Sequence, residues 1–308
     1  RQLLCDDCKV VVVDNYTHGG EALLGVRENA KVGFVYGDVA LLETMKAIFT
    51  TRHIDAVVHL AAIVGDPACA KQPELAKSIN LDASLQLFSL SKQFGVKQFI
   101  FVSTCSNYGK MVDPLSYVDE NSPLAPVSLY AELKVQVEEA ILIKDEKNPD
   151  FCPIVLRLAT VYGISPRMRF DLTVNEFTKD LALEKTIEVF GEQFWRPYCH
   201  VSDIAQAIRL VLQSPKERVA YEVFNVGDTK ENYQKRMIVE EIKKIIPNAE
   251  INYIHKNEDP RDYRVSFEKI KETLGFSISK TVQDGIREIQ EGVKQGLWNN
   301  PEDGRYKN

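Results

Sequence analysis

The sequence has little that would suit a membrane or a nucleic acid. No apolar run approaches the ~18–20 residues of a membrane-spanning helix, and no signal peptide is visible. The formal net charge of −6 leaves no general excess of lysine and arginine to neutralise phosphates. We therefore expect neither a membrane partner nor a nucleic-acid partner. The 308 residues, 44% hydrophobic and 27% charged, are typical of a globular enzyme with one large domain or two smaller ones.

Cysteines are few and scattered, at positions 5, 8, 69, 105, 152 and 199. This distribution along a long chain favours reduced thiols and a cytoplasmic location. Cys5 and Cys8 have C-x-x-C spacing, but no second pair of cysteines or histidines completes a zinc site. We interpret this stretch as a polar turn before a strand, and we expect no metal.

Apolar, β-branched segments alternate with helical patterns through the first half of the chain. Strand patterns cover 9–14, 32–36, 54–62, 99–102 and 151–158, and helical patterns cover 41–49, 73–94 and 128–134. This alternation predicts an α/β fold with a doubly wound parallel (Rossmann) sheet, whose ligands bind beyond the carboxyl ends of the strands. The pattern changes after Gly163. We predict a dinucleotide-binding domain over 1–163, to which 200–226 return, and a smaller α/β substrate domain over 164–199 and 227–308.

The glycine-rich turn that opens such a sheet is missing. An acid at a strand end, here Asp14, would accept hydrogen bonds from the adenosine ribose of NAD and repel the 2′-phosphate of NADP. A solvated aspartate is the alternative. The G-x-G-x-x-G fingerprint lies ~20 residues before such an acid, so it would fall upstream of Arg1. We expect the natural chain to start earlier; the alternative is a truncated protein with a damaged cofactor site.

Two further strand ends carry candidate cofactor contacts. Asp38 follows the strand pattern 32–36, and it can reach an adenine amino group, cap the next helix, or do both. Ala61 and Ala62 end another strand, where small side chains let the backbone approach a flat or phosphorylated ligand. His59 lies in the same apolar run, and we interpret it as a core histidine rather than a catalyst.

A hydroxyl, a phenol and an ammonium occur close together between Phe99 and Lys134. The apolar run from Phe99 predicts a buried strand that ends near Thr104. Tyr130 and Lys134 are four residues apart in a predicted helix, so they lie on one face, one turn from each other. Such groups can take a proton from an alcohol while hydride leaves its carbon.

Arginines from separated segments are candidates for binding an anion. Arg167, Arg169, Arg196 and Arg261 could converge on one diphosphate, because guanidinium groups match phosphate geometry. Scattered surface arginines are the alternative, and the spacing alone leaves both open.

Several motifs taken together resemble the extended short-chain dehydrogenase/reductases. They are H-L-A-A at 59–62, S-T-C-S-N-Y-G at 103–109, Y-x-x-x-K at 130–134, R-L-A-T-V-Y-G at 157–163 and R-P-Y-C-H-V-S-D at 196–203. The branch that they resemble is the NAD-dependent epimerase/dehydratase family, which acts on nucleotide sugars. The stretch 157–177 is similar to GDP-heptose 4-dehydrogenases and to 4-epimerase-like members.

The resemblance implies a role for each candidate residue. Tyr130 would be the general base for a sugar hydroxyl, Lys134 would stabilise the ionised phenol and hold the nicotinamide ribose, and Thr104 would hydrogen-bond the same sugar oxygen. The implied NAD site consists of Asp14, Asn15, Asp38, Val39, Leu60, Ala61, Ala62, Tyr130 and Lys134. Asn175, Arg196 and Arg261 match positions that hold the substrate's diphosphate. With Thr104, Arg167 and Arg169 they form the predicted site for a nucleotide-diphosphate sugar. The family also implies a homodimer.

One departure from the family decides the expected reaction. The family's 4,6-dehydratases place Asp-Glu directly after the threonine as acid and base, whereas this chain has Cys105-Ser106. Elimination of water is therefore disfavoured, and reversible oxidation at C4 of the sugar remains. We expect a 4-epimerase that works through a transient 4-keto sugar. The close alternative is a 4-dehydrogenase that releases the keto sugar, and an inactive scaffold is a more remote one.

Overall fold

The structure is a computed structural model that describes residues 1–6, 8–111, 113, 116–143, 148–255 and 261–308. The strands are β1 Val10–Asp14, β2 Val32–Tyr36, β3 Ala56–His59, β4 Gln98–Thr104, β5 Cys152–Leu158, β6 Thr160–Tyr162, β7 Ile187–Phe190, β8 Trp195–His200, β9 Glu222–Val226, β10 Asn232–Gln234 and β11 Ile251–Ile254. The helices are α1 Leu42–Thr51, α2 Asp66–Lys71, α3 Pro73–Lys77, α4 Ala83–Gln93, α5 Leu129–Ile141, α6 Thr173–Ala182, α7 Val201–Gln213, α8 Lys216–Val219, α9 Lys235–Ile245, α10 Glu268–Leu274 and α11 Val282–Lys294. Short 3-10 helices cover Gln2–Asp6, Glu21–Val26, Cys105–Tyr108, Thr229–Glu231 and Gly304–Tyr306.

The chain divides into two compact units. The first consists of Arg1–Asn107, Pro126–Arg157 and Gln206–Phe224, and the second of Tyr108–Ala125, Leu158–Ala205 and Asn225–Asn308. Compared with the predicted division, 108–125, 158–163, 200–205 and 225–226 lie with the second unit. All the predicted cofactor contacts lie in the first unit.

The first unit contains parallel strands connected by helices. β1 pairs in parallel with β2, with Val10 opposite Val32 and Asp14 opposite Tyr36. A four-stranded sheet has the order β3-β4-β5-β9, in which β3 is parallel to β4. Among the described residues the strands thus form two hydrogen-bonded groups, where the alternation predicts one continuous sheet. Each group has a predicted site residue at the carboxyl end of a strand: the cofactor contact Asp14 ends β1, and the catalytic candidate Thr104 ends β4.

Burial fixes β4, the strand that leads to Thr104. Phe99 and Phe101 are both 0% exposed, and the ring of Phe99 meets the ring of Phe88 of α4 at 5.3 Å between centroids. Fully burying one phenylalanine side chain contributes about 2–3 kcal/mol. The end of β4 is therefore a rigid position for a functional side chain.

The helix predicted over 73–94 is interrupted. Between α3 and α4 the chain makes a π-helical turn, Ser78–Asp82, which contains the fully buried Asn80. The amide of Asn80 accepts a hydrogen bond from Ile63 N at 2.8 Å and donates one to Ile63 O at 2.9 Å. Single π-turns inside helices are frequent at functional sites. Here the turn fixes the segment that follows β3.

Two short elements differ from their predicted bounds. The strand predicted over 54–62 is confined to β3, so Leu60, Ala61 and Ala62 lie in the segment beyond it. The sequence pattern did not predict α2, because it has only six residues and begins at Asp66-Pro67. The residue before it, Gly65, has φ +96°, which glycine adopts readily.

The second unit is built from two small sheets with helices packed on them. β8 is antiparallel to β10 and parallel to β6, and β7 is parallel to β11. Its core includes side chains from β6, β8, α9 and α11, such as Tyr162, Tyr198, Ile238 and Ile286. In the described parts of both units, no helix is long and apolar enough to cross a membrane. No group of three or more His, Cys, Asp or Glu among those residues could hold a metal ion.

His59 is a core histidine, as predicted. It is 3% exposed, and its Nε2 lies 2.9 Å from Ser84 Oγ. Burial, assisted by the positive charge of Lys134, lowers the pKa of His59 to about 3. The folded protein therefore keeps this imidazole neutral at physiological pH.

His59 predicts a loss of stability in mild acid. The unfolded chain takes up a proton below pH ~6.5, whereas the folded chain resists until about pH 3. Stability is therefore lost as pH falls through this range, by about 2 kcal/mol between pH 8 and pH 5. Urea unfolding followed by far-UV circular dichroism measures it.

A His59→Asn variant should lose this part of the pH dependence. His53→Gln, at an exposed position, should keep it. An unchanged pH dependence in His59→Asn would contradict the assignment.

Candidate functional site

Ser128 determines where α5 begins. Its Oγ accepts a hydrogen bond from Ala131 N at 3.3 Å and donates one to Asp66 Oδ1 at 2.6 Å. A serine with non-helical backbone at this position caps the free N–H groups of the first turn. Tyr130 consequently lies in the first turn of α5, and Lys134 one turn later on the same face.

Lys134 links α5 to the strand that ends in Thr104. Its side chain is buried, its Nζ donates to Val102 O at 2.8 Å, and the Tyr130 ring centroid is 5.9 Å from Nζ. Thr104 lies two residues beyond Val102, and its Oγ1 accepts a hydrogen bond from Ser106 N at 3.1 Å. The structure thus brings Lys134, with the ring of Tyr130 beside it, to the last residues of β4, the strand that ends in Thr104.

The surroundings of Lys134 act on its charge in opposite directions. Burial lowers the pKa of the ammonium to about 8, and the charges of Glu138 and, secondarily, Cys69 raise it. Phe101 presents its ring face 4.6 Å from Nζ, which favours the cation. Lys134 is therefore mostly protonated at pH 7, but its pKa is close to that pH.

The predicted adenosine contacts meet at the ends of β1 and β2. Asn15 Nδ2 donates to Asp38 Oδ2 at 3.1 Å, and Asp14 Oδ1 accepts from Tyr16 N at 2.7 Å. Asp38 does not cap α1, because its Oδ1 accepts from Ala40 N and the capping position belongs to Leu41. Val39 follows Asp38 and is half-buried. Three polar side chains therefore gather at this edge.

The segment after β3 lies in the same unit. Leu60 is 57% exposed, and the half-buried Ala61 and Ala62 lead to Ile63, which Asn80 holds by its backbone. Small side chains there leave room for a ligand next to the backbone.

The predicted substrate arginines fall into two groups, both in the second unit. Arg196 Nη1 donates to Trp195 O at 2.6 Å and also to Arg261 O, so these two arginines are neighbours. Arg167 donates to Asn308 Oδ1 at 2.8 Å, and Arg169 pairs with Asp171 at 2.7 Å. The sequence around Arg261 predicts a basic turn that begins at Asp259-Pro260, and these two residues lie outside the described part of the chain.

Asn175 holds the loop that carries Arg167 and Arg169. It is 1% exposed; its Oδ1 accepts from Gly163 N at 2.9 Å and its Nδ2 donates to Arg169 O at 2.8 Å. The amide thus already bonds backbone at both ends of the loop. A direct contact with substrate would have to use the remaining hydrogen-bonding capacity of the group.

A buried polar network next to the predicted catalytic residues contains none of the predicted site residues. Its members are Ser103, Asn107, Glu138 and Arg157. Two signals were available: Arg157 interrupts the apolar run of β5, and Glu138 lies four residues after Lys134 on the face that carries Tyr130. Charges in such places are buried only when they are paired.

A sequence profile of the NAD dependent epimerase/dehydratase family matches residues 1–227, well over half of the chain. The chain belongs to this family. The resemblance drawn from the motifs is thereby confirmed. The prediction that the cofactor is NAD is confirmed as well.

Several known proteins resemble the chain over nearly its whole length. A UDP-glucuronate 4-epimerase of Thermodesulfobacterium geofontis is 27% identical, over 96% of this chain and 91% of its own. The crystal structure of a UDP-glucose 4-epimerase from Thermotoga maritima with UDP-glucose has TM-score 0.84 and 26% identity, covering 96% of this chain and 94% of its own. The predicted Rossmann-type α/β fold is confirmed by this likeness. A dTDP-glucose 4,6-dehydratase from Streptomyces venezuelae, at 22% identity and TM-score 0.82 over 97% and 93% of the two chains, shares the fold.

Proposed function

We propose that this chain is an NAD-dependent 4-epimerase of a nucleotide-activated sugar. The observation that carries the proposal is Lys134, which bonds the strand ending in Thr104 and lies beside the ring of Tyr130. A hydroxyl, a phenol and an ammonium at one strand end suit the oxidation of an alcohol. Relatives named as UDP-sugar 4-epimerases support the choice of C4.

The side chains at the ends of β1, β2 and β3 fit NAD. Asp14 is an exposed carboxylate that suits a ribose diol and opposes a 2′-phosphate, and Asp38 with Asn15 offers polar atoms for the adenosine half. Ala61 and Ala62 suit the close approach of a diphosphate. Bound there, NAD would supply the hydride acceptor for oxidation at C4, and inversion would require the keto sugar to turn so that the hydride returns to its opposite face.

The residues of the chain would handle the proton and the orientation. Tyr130 would take the proton from the C4 hydroxyl and give it back, and Thr104 would hydrogen-bond the same oxygen. The Lys134 ammonium would favour the ionised phenol. We retain Asn175, Arg167, Arg169, Arg196 and Arg261 as proposals for the substrate side. We also propose a homodimer in the cytoplasm.

The side chains after Thr104 support redox chemistry without elimination. Cys105 is 1% exposed and its Sγ donates to Arg157 O at 3.3 Å, so it points into the protein. Ser106 follows, and neither residue supplies the carboxylate that loss of water across C5–C6 needs. Epimerisation by oxidation and re-reduction requires only the groups already named.

The test is to incubate the protein and NAD with UDP- and GDP-sugars, and to follow product configuration by NMR together with NADH absorbance. We expect conversion to the C4 epimer with no net NADH. Steady accumulation of NADH and keto sugar would overturn the epimerase in favour of a 4-dehydrogenase. No conversion of any sugar nucleotide by NAD-loaded protein would favour an inactive scaffold.

A further inference from the structure

A buried carboxylate lies under the proposed catalytic residues. Glu138 is 2% exposed and accepts two hydrogen bonds from Arg157, from Nε at 3.0 Å and from Nη2 at 2.6 Å. It also accepts from Asn107 Nδ2 at 2.8 Å and from Ser103 Oγ. Asn107 Nδ2 reaches Ser103 Oγ as well, at 3.1 Å. A carboxylate with this many donors is locked in place.

The network joins the elements that carry the proposed site. Glu138 lies on α5, one turn beyond Lys134 and two turns beyond Tyr130. Ser103 is the neighbour of Thr104 on β4, and Asn107 lies in the 3-10 helix that follows it. One carboxylate therefore ties the helix of the phenol to the strand end of the hydroxyl.

We propose that Glu138, paired with Arg157, is a positioning residue that holds Thr104 and Lys134 in place for the proposed reaction. The inference rests on the proposed function for its chemistry. Glu138 need not touch substrate or cofactor, because it acts through Ser103, Asn107 and the ammonium one turn away.

The pair also sets the charge balance around Lys134. The groups that face Lys134 are His59 from β3, Cys69 from α2, Tyr130 and Glu138 from its own helix, and Arg157 of β5 through Glu138. Burial keeps His59 neutral, so Glu138 is the nearby acid that favours the ammonium, and Arg157 offsets part of its field. Removing the carboxylate of Glu138 and removing the guanidinium of Arg157 should therefore shift the pKa of Lys134 in opposite directions.

Two single variants separate positioning from a merely structural role. Glu138→Gln should lower the pKa of Lys134 below its value of about 8, and Arg157→Met should raise it. The readout is the pH titration of the Lys134 13Cε resonance, assigned with Lys134→Arg, in the full chain without sugar nucleotide. In kinetics, Glu138→Gln should shift the alkaline limb of the pH profile of kcat to lower pH, while KM changes little.

Matched variants keep the test decisive. Glu132→Gln makes the same change at an exposed position of α5 and should move nothing. If either single variant fails to fold, the double variant Glu138→Gln/Arg157→Met can replace it, because it leaves no unpaired buried charge. The pKa of Lys134 in the double variant should fall between its values in the two single variants. The proposal is overturned if Glu138→Gln leaves the titration of Lys134 unchanged, or if both singles shift it the same way. Absence of turnover in the wild type would defeat the proposed function alone, because the titration does not depend on it.

Discussion

Replacing Tyr130 by phenylalanine is expected to lower kcat by at least about 10³-fold, because the sugar hydroxyl loses its proton acceptor. The phenyl ring can keep its packing against Leu133 and Cys69 in the small cluster at the start of α5. Binding of NAD and of the sugar nucleotide should therefore stay within about two-fold, since one hydroxyl is removed at the reacting atom only. Initial rates, with calorimetric titration of each ligand, measure the two effects separately.

The control for this variant is Tyr253→Phe, which removes a phenol hydroxyl from the half-exposed edge of β11. It should turn over like the wild type. Unchanged turnover in Tyr130→Phe would remove Tyr130 as the base. A parallel loss of binding and turnover would point to a structural role instead.

Replacing Gly163 by alanine is expected to destabilise the second unit by about 3–5 kcal/mol. Its φ is +102°, and an added Cβ would overlap the His200 ring at Nε2 and come within 3.0 Å of Glu288 Oε1. His200 cannot retreat easily, because it is buried and bonds Glu288 at 2.7 Å. Backbone strain and overpacking therefore add. Both tryptophans, Trp195 and Trp298, lie in this unit, so urea unfolding followed by their fluorescence reports it selectively.

Gly275→Ala separates the two causes. Gly275 has φ +71° at the end of α10, and an added Cβ would meet nothing within 4 Å. That variant should lose only the conformational part, about 1–2 kcal/mol. Equal losses in the two variants would show that the overlap with His200 contributes nothing.

Local patterns were sufficient to predict most elements of the first unit. The β-branched run Val10–Val13 and the apolar run from Phe99 are strands, because such runs suit buried parallel sheets. Periodicity could not predict the π-helical turn, because the contact made there, between Asn80 and the backbone of Ile63, is a tertiary one. A contact between segments seventeen residues apart leaves no local trace.

The candidate site also contains residues that the sequence predicts and residues that it does not. Tyr130 and Lys134 follow from helical spacing, and Thr104 from its place after an apolar strand. Glu138 is harder to predict, because a glutamate on a helix usually faces water; its spacing from Lys134 and the arginine within β5 are the two signals that it is buried and paired. The sequence could not predict which arginines lie together either, because Arg169 pairs with the nearby Asp171.

The π-helical turn at Ser78–Asp82 constrains how the length of this chain can change. Deleting one residue there would rewind the turn to α geometry and rotate Asn80 by roughly 100° about the helix axis. Ile63 would lose both amide contacts, and the segment after β3 would lose its anchor. Substitutions along the exposed face of α4 carry no such cost. We therefore expect descendants of this sequence to vary in side chains along the exposed face of that helix, while insertions and deletions are excluded at this turn.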